Sequence, residues 1–208
     1  MNETIFAVFG LGFVLGLKHA TEPDHVVAVS TIVSRNKSIA HSSLAGTLWG
    51  LGHTASLFIC GSVVLALRLT ISENLMQWAE TGVGVMLVFL GLNSMWRLAR
   101  PEAPHDHHHT SPIPTRSFFV GMVHGLAGTG ALMVLVLATV PTLFSGLIYI
   151  LLFGLGSIGG MLLLSGLISV PFAISAGRSR LLNNGLQLVA ALMSVGLGLF
   201  WISQRALV

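Results

Sequence analysis

Six apolar runs, each about twenty residues long, constrain this chain more than any other feature, because that length spans a bilayer as a helix. Inside a bilayer every backbone polar group must be paired within the protein, which leaves helices or a closed barrel. Barrel strands would alternate apolar and polar residues, and these runs do not. The predicted spans are Ile5–Val33, Ser43–Leu67, Leu75–Ala99, Phe118–Val140, Leu143–Ile174 and Leu186–Gln204.

The composition agrees with a membrane location. Hydrophobic residues make up 53% of the chain and charged residues 8%, where a soluble domain carries about 25% charged residues. The net charge of +3 lies in the loops and is too small to indicate nucleic-acid binding. We therefore predict an all-α, polytopic protein of the cell inner membrane, with residues 1–208 forming a single transmembrane domain in the lipid bilayer.

The two halves of the sequence resemble each other. Phe13–Ala20 is similar to Phe118–Gly125, 105 positions later, and Trp49–Gly52 is similar to Phe153–Gly156, 104 positions later. Each half would contain three helices, and an odd number makes the second copy enter the membrane upside down. Inverted repeats of this kind recur in transporters. The predicted organisation is repeat 1 (1–100), a histidine-rich loop (101–116) and repeat 2 (117–208).

Lysine and arginine in the connections predict the orientation, because basic residues favour the cytoplasmic side. The connections after spans one, three and five contain seven basic residues, and the opposite side contains two, Arg68 and Arg205. Both termini are therefore expected on the exterior or periplasmic side. The seven cytoplasmic residues are Arg35, Lys37, Arg97, Arg100, Arg116, Arg178 and Arg180.

Ionisable residues interrupt the first span at membrane depth. A charge there costs about 2.5–3.5 kcal/mol even on lenient scales, so such residues are usually functional. Pro23 lacks an N–H, which frees the carbonyl of His19, and it pushes Glu22 away from helical geometry. We expect a broken helix in which His19, Asp24 and His25 turn toward one point and bind a metal ion.

A counterpart lies in the fourth span, where His124 is followed by three glycines within six residues. We expect these glycines to interrupt the helix as the proline interrupts the first, since paired interruptions mark the binding sites of inverted-repeat transporters. Thr129 aligns with Asp24, so the second half keeps a histidine without the acid. His53 lies in a glycine-rich part of the second span, where close helix packing is expected.

Imidazole with one or two carboxylates suits nickel, cobalt, copper or zinc, whereas magnesium and calcium prefer oxygen ligands. Cys60 is the single cysteine, so a thiolate-rich copper(I) site is not expected. Alternatives stay open: His53 or His124 alone can be structural, and Glu22 can instead pair with Lys18. The metal is expected as a transported substrate, with no prosthetic group. The candidate ligands are His19, Asp24, His25, His53 and His124, with Glu22 and Thr129 secondary.

The connection 101–116 contains four prolines and a histidine tract, which predicts a disordered loop. Histidine tracts bind metal readily but without fixed geometry, so this loop can deliver, buffer or sense metal, or be dispensable. We interpret it as a cytoplasmic metal-buffering segment. Its histidines are His105, His107, His108 and His109.

The spacing His19-x4-Asp24-His25 in an early transmembrane helix resembles the signature of the nickel/cobalt transporter family. The Gly-His-Thr around His53 and the His-Gly at His124 resemble its secondary motifs, and Gly16–His25 is most similar to the branch of urease-accessory-type membrane proteins. The resemblance implies nickel or cobalt transport through the first-helix ligands, and a metallochaperone or urease-maturation protein as partner. Larger importers of the family have more helices, and a histidine-rich loop is typical of exporters, so the direction stays open.

Metal transport has two rival interpretations. A small exporter of a sulfur oxyanion or an amino acid would need basic residues in the membrane. Lys18 is the available basic residue there, whereas the acids and histidines form a cluster, which favours a cation. A membrane metalloenzyme would need several histidine boxes, and His105-x-x-His108-His109 mimics one but lies in the proline-flanked loop. We therefore predict a transporter, not an enzyme.

Overall fold

The structure, a computed structural model, describes residues 2–36, 38–69, 71–100, 113–139 and 142–206, with the side chains of 2–6, 113–114, 129–139 and 205–206 left out. The regular structure in these ranges is entirely α-helical, which confirms the all-α prediction. The helices are α1 (Asn2–His19), α2 (Pro23–Val33), α3 (Ile39–Leu67), α4 (Glu73–Ala99), α5 (Ile113–Thr139), α6 (Leu143–Arg178) and α7 (Arg180–Ala206).

Each predicted span corresponds to one helix, except that the first is divided into α1 and α2. The helices α3 and α4 begin a few residues before the apolar runs, whereas α6 begins at the predicted residue, Leu143. Ser38, Ser72 and Thr142 accept hydrogen bonds from the backbone N–H three residues ahead and so cap α3, α4 and α6.

The expected interruption in the second half is wrong, because α5 runs unbroken through the glycines that follow His124. Each of those glycines keeps its backbone N–H, so the helical hydrogen-bond ladder continues at a cost of about 1 kcal/mol per residue. Pro23 has no N–H to offer, and there the chain does break.

Apolar side chains cover much of the outside of the molecule, and polar side chains are buried beside the apolar core, as expected for a membrane protein. Leu181, Phe144 and Leu167 are 85%, 73% and 71% exposed, and many other large apolar residues are also exposed. A soluble monomer with such patches would aggregate. Among the described residues, four helices are long and apolar enough to cross a membrane, namely α3, α4, α6 and Arg180–Gln204 of α7.

Glycines let the central helices approach until backbone meets backbone. The helix α3 packs against both α5 and α6, while α1 packs against α6, and α4 against α7. A Cβ added at Gly16 would clash with the carbonyl oxygen of Phe153, and one at Gly121 with that of Trp49. The two glycines are 105 positions apart and the two carbonyls 104 apart.

A second pair of glycine contacts follows the same offsets. A Cβ at Gly52 would clash with the carbonyl of Phe118, and one at Gly156 with the carbonyl of Phe13. The packing of α1 on α6 is thus matched, position by position, by the packing of α5 on α3. Lipid supplies no hydrophobic driving force for the association of helices. Small residues at such crossings allow close van der Waals contact, which stabilises the association instead.

We expect Gly52→Val to destabilise the protein by about 1–3 kcal/mol or more, because the new side chain overpacks the α3–α5 crossing. Thermal unfolding in detergent measures the effect. Gly82→Val is the matched control, since a Cβ at Gly82 meets no atom within 4 Å. Equal melting temperatures for the two variants would contradict the close crossing.

Candidate metal centre

The break between α1 and α2 creates the geometry of the site. Helix α1 ends at His19, and Glu22 adopts extended backbone angles (φ −64°, ψ 148°) as the residue that caps α2. Pro23 occupies the first turn of α2, where its missing N–H costs nothing. The predicted broken helix is therefore confirmed, and the break places His19 opposite Asp24 and His25.

Three imidazoles from three elements converge at this break. Suitable nitrogen atoms of His19, His25 and His53 lie within 4.8 Å of one another. The Nε2 atoms of His19 and His53 are 3.2 Å apart. Two nitrogens bound to one zinc at about 2.0–2.1 Å, at an angle near 90–110°, would be about 2.9–3.4 Å apart. The observed separation thus suits two ligands of one transition-metal ion.

Asp24 is held between two histidines. Its Oδ1 lies 3.1 Å from His25 Nδ1, and its Oδ2 lies 2.9 Å from His124 Nε2. All three side chains are buried. A carboxylate that accepts from both rings requires an N–H at these two nitrogens, which leaves lone pairs on His25 Nε2 and His124 Nδ1.

Those two nitrogens are buried and have no hydrogen-bond partner among the described residues. A buried acceptor left unpaired costs about 1–3 kcal/mol, so a group that fills it is strongly favoured. His25 Nε2 belongs to an imidazole of the three-histidine cluster, and Asp24 fixes the ring from the other side. Carboxylate–histidine pairs of this kind orient metal ligands and raise their basicity.

Glu22 makes the same kind of contact with the third histidine. Its Oε2 lies 3.0 Å from His19 Nδ1, which leaves Nε2 of that ring toward His53. Glu22 is about half exposed, unlike buried Asp24. The suggested pairing of Glu22 with Lys18 is replaced by this contact with His19.

Close packing around His53 and His124 explains how two further helices reach the site. A Cβ at Gly125 would meet Ser56 and the backbone of His53, so α5 and α3 touch directly beside both imidazoles. Trp49, one turn before His53, stacks on His25 with an interplanar angle of 10° and a centroid separation of 6.0 Å. This parallel contact restricts the His25 ring.

A cavity of about 320 Å³ leads to the cluster. Among its lining residues are site residues from both sides of the break, together with Lys18, Trp201 and Glu80. Glu80 is not among the candidates that the sequence offers, because it lies two turns after Glu73 in α4, away from the histidine motifs. Only the packing of α4 shows that it lies on the wall of this cavity.

The structure thus brings His19, Asp24, His25, His53 and His124 together, with Glu22 beside them. The Thr129 side chain lies outside the described residues. The histidines of the loop, His105, His107, His108 and His109, also lie outside them.

Comparison with known proteins gave three informative relatives. The chain is 40% identical over 205 residues to urease accessory protein UreH of Bacillus sp. (strain TB-90), covering 92% of this chain and 89% of that protein. It is 26% identical to the protein named "Putative nickel/cobalt efflux system MJ1092" of Methanocaldococcus jannaschii, covering 74% and 71%. It is also 26% identical to chloroplast protein FOR GROWTH AND FERTILITY 1 of Arabidopsis thaliana, over 90% of this chain and 56% of that protein. No family model and no solved structure matches.

Asp24→Asn is expected to weaken nickel and cobalt binding by about 10–100-fold, the usual effect of losing a carboxylate that orients a ligand histidine. The amide replaces one of the two carboxylate oxygens by an NH2 group, which cannot accept the hydrogen bond that His25 or His124 donates at that position. Calorimetry on the purified protein measures the affinity. Glu73→Gln, an exposed acid in the first turn of α4, is the control. Unchanged affinity in Asp24→Asn would contradict the assignment.

Glu80→Gln is expected to raise the metal concentration for half-maximal binding several-fold, because it removes a negative charge from the wall of the cavity. The effect should shrink at high salt, since exposed charges are screened. A titration at two ionic strengths measures it, again with Glu73→Gln as control. Identical shifts in both variants would show a general surface-charge effect instead.

Proposed function

Because the chain belongs to the nickel/cobalt transporter family, in the branch of UreH-like membrane proteins, we propose that it moves nickel or cobalt across the membrane through this site. The observation that carries the proposal is the convergence of His19, His25 and His53 at a broken helix, with a buried and unpartnered nitrogen on His25. The ion is the cargo, not a resident cofactor.

The donor set supports a borderline transition metal. The three imidazoles, two of which contact the carboxylates of Glu22 and Asp24, suit nickel and cobalt. Magnesium and calcium prefer oxygen ligands. Cys60 is not part of either ligand group, so the described cluster contains no thiolate for copper(I). Among the remaining metals, the similarity to a protein named as a nickel/cobalt efflux system favours nickel or cobalt.

Two overlapping ligand groups offer a route for the ion. The first is His19, His25 and His53, and the second is Asp24, His25 and His124. His25 belongs to both groups, so an ion can pass from the first to the second once the N–H protons that His25 and His124 donate to Asp24 have left. A stepwise exchange avoids a fully desolvated ion at membrane depth, which would be costly.

Six membrane spans in two inverted repeats form the proposed architecture, with α1 and α2 together making the first span. The glycine contacts at matching offsets support this arrangement, since α1 packs on α6 as α5 packs on α3. The proposed location is the inner membrane of the cell. The basic connections favour an orientation with both termini on the exterior side and the histidine-rich loop in the cytoplasm.

The histidine-rich loop then has a natural role beside the pathway. A relative named as a urease accessory protein suggests that the ion is passed to a cytoplasmic metallochaperone or urease-maturation protein. A loop that binds metal without fixed geometry can buffer that transfer, whereas a transport site needs rigid geometry.

Competing functions fit the site less well. An oxyanion exporter would need positive charge at the site, and the cavity has Lys18 opposed by Glu22, Glu80 and Asp24. The relatives with functional names are accessory and transport proteins, which favours transport over catalysis.

Flux through proteoliposomes with a metal-sensitive dye inside tests the proposal. His25→Ala should reduce nickel and cobalt flux at least about tenfold, because it removes the imidazole shared by both ligand groups. His41→Ala is the matched control, since His41 is exposed in the first turn of α3, away from the cluster. Wild-type flux in the His25 variant would refute a pathway through this site, and equal flux of magnesium would refute the metal class.

A further inference from the structure

A second cavity, separate from the metal centre, lies where the ends of three helices meet. It has a volume of about 260 Å³ and is lined from α2 and the residues after it, from α4, and from the start of α5. None of its lining residues lines the metal cavity. The connections here belong to the side that the basic residues assign to the cytoplasm.

Three arginines from three different elements line this cavity. Arg35 follows α2, Arg97 lies in the last turn of α4, and Arg116 lies near the start of α5. No acidic residue is among the described residues that line it. The positive-inside rule accounts for arginines at this end of the helices, but it does not require three of them to share one cavity without a counter-charge.

Neutral hydrogen-bond donors accompany the charges. The amide nitrogen Nδ2 of Asn36 is buried and has no partner among the described residues, and Asn36 lines the cavity. Ser94 and Ser117 add hydroxyl groups. On the opposite wall Asn93 accepts a hydrogen bond from Arg97 Nε at 3.3 Å, which steadies that guanidinium. A buried donor without a partner costs free energy until an acceptor fills it.

The arginines also repel one another. The pKa of Arg116 is lowered, first by burial and then by the nearby charge of Arg97. An anion placed between the two guanidinium groups would relieve that repulsion. The residues Arg35, Arg97 and Arg116 are exposed overall, so the lowered pKa of Arg116 reflects a partly buried guanidinium beside a second positive charge.

We propose that this cavity binds a phosphate group. An arginine guanidinium donates hydrogen bonds to phosphate oxygens in pairs. Three guanidinium groups from three segments of the chain can be satisfied better by a tetrahedral anion with several oxygens than by a planar carboxylate. The cavity lies at the ends of the helices, the depth at which lipid headgroups lie, and basic pockets between transmembrane helices bind anionic headgroups. Free inorganic phosphate offers the same chemistry. The site stands independently of the metal pathway.

The test uses the full-length chain in two arms. In the lipid arm, native mass spectrometry counts phosphatidylglycerol retained from mixed phosphatidylglycerol and phosphatidylcholine bilayers. In the free-anion arm, inorganic phosphate is added in detergent and stabilisation against heating is measured. We expect the double variant Arg97→Gln/Arg116→Gln to lower the amount of phosphatidylglycerol retained, the stabilisation by phosphate, or both, by at least about tenfold. The reason is that two charge-assisted contacts are lost.

Arg178→Gln/Arg180→Gln is the matched control, because it removes the same charge from the same predicted side without touching the cavity. Nickel binding at the metal centre reports whether the cavity variant is folded, and Arg97→Lys/Arg116→Lys, which keeps the charge, should give an intermediate loss. Loss in the lipid arm alone assigns a headgroup, and loss in the phosphate arm assigns the free anion. Equal losses in cavity and control variants, or no binding by wild type in either arm, would overturn the proposal.

Discussion

One missing hydrogen-bond donor, the backbone N–H that Pro23 lacks, determines where chemistry is possible in this molecule. An unbroken helix would separate His19 from Asp24 and His25 around its circumference. The carbonyl of His19, which was expected to be free, instead accepts a hydrogen bond from the backbone N–H of Glu22. The break brings the end of α1 against the first turn of α2, so these side chains meet at one point. The surrounding helices then need only to supply His53 and His124.

Burying these polar groups costs free energy, and close packing between helices offsets that cost. Packing has this role because lipid supplies no hydrophobic driving force for helix association. Glycine contacts at Gly16, Gly52, Gly121 and Gly156 let backbones touch, so α3, α5 and α6 form a tight frame around the break. Within the frame, each buried ionisable group has a neighbour that it can pair with, as Asp24 has two imidazoles. The same closeness holds the ligand atoms within reach of one ion.

The sequence predicts the helices well, because apolar runs of membrane length and a proline have local physical consequences. It also predicts which histidines lie together at the break, since ionisable residues cost free energy in a bilayer and are usually grouped there. It fails where the answer depends on helix rotation and distance. The partner of Glu22, the stacking of Trp49 and the position of Glu80 on the cavity wall all follow from packing between helices. The glycines after His124 misled because they weaken a helix without removing a donor.

The two halves are equivalent in packing but not in chemistry, and this difference bears on how the site works. The glycine contacts repeat at the same offsets, yet in the part of the chain that the structure describes the break lies in the first half, which also supplies the acids Glu22 and Asp24. A symmetric pair would offer two equal sites. Here His124 of the second half contacts the carboxylate of Asp24 in the first half. Both candidate ligand groups therefore include residues from the same break. The unbroken α5 therefore contributes its histidine from a continuous helix, whereas α1 and α2 contribute theirs from the two sides of the break.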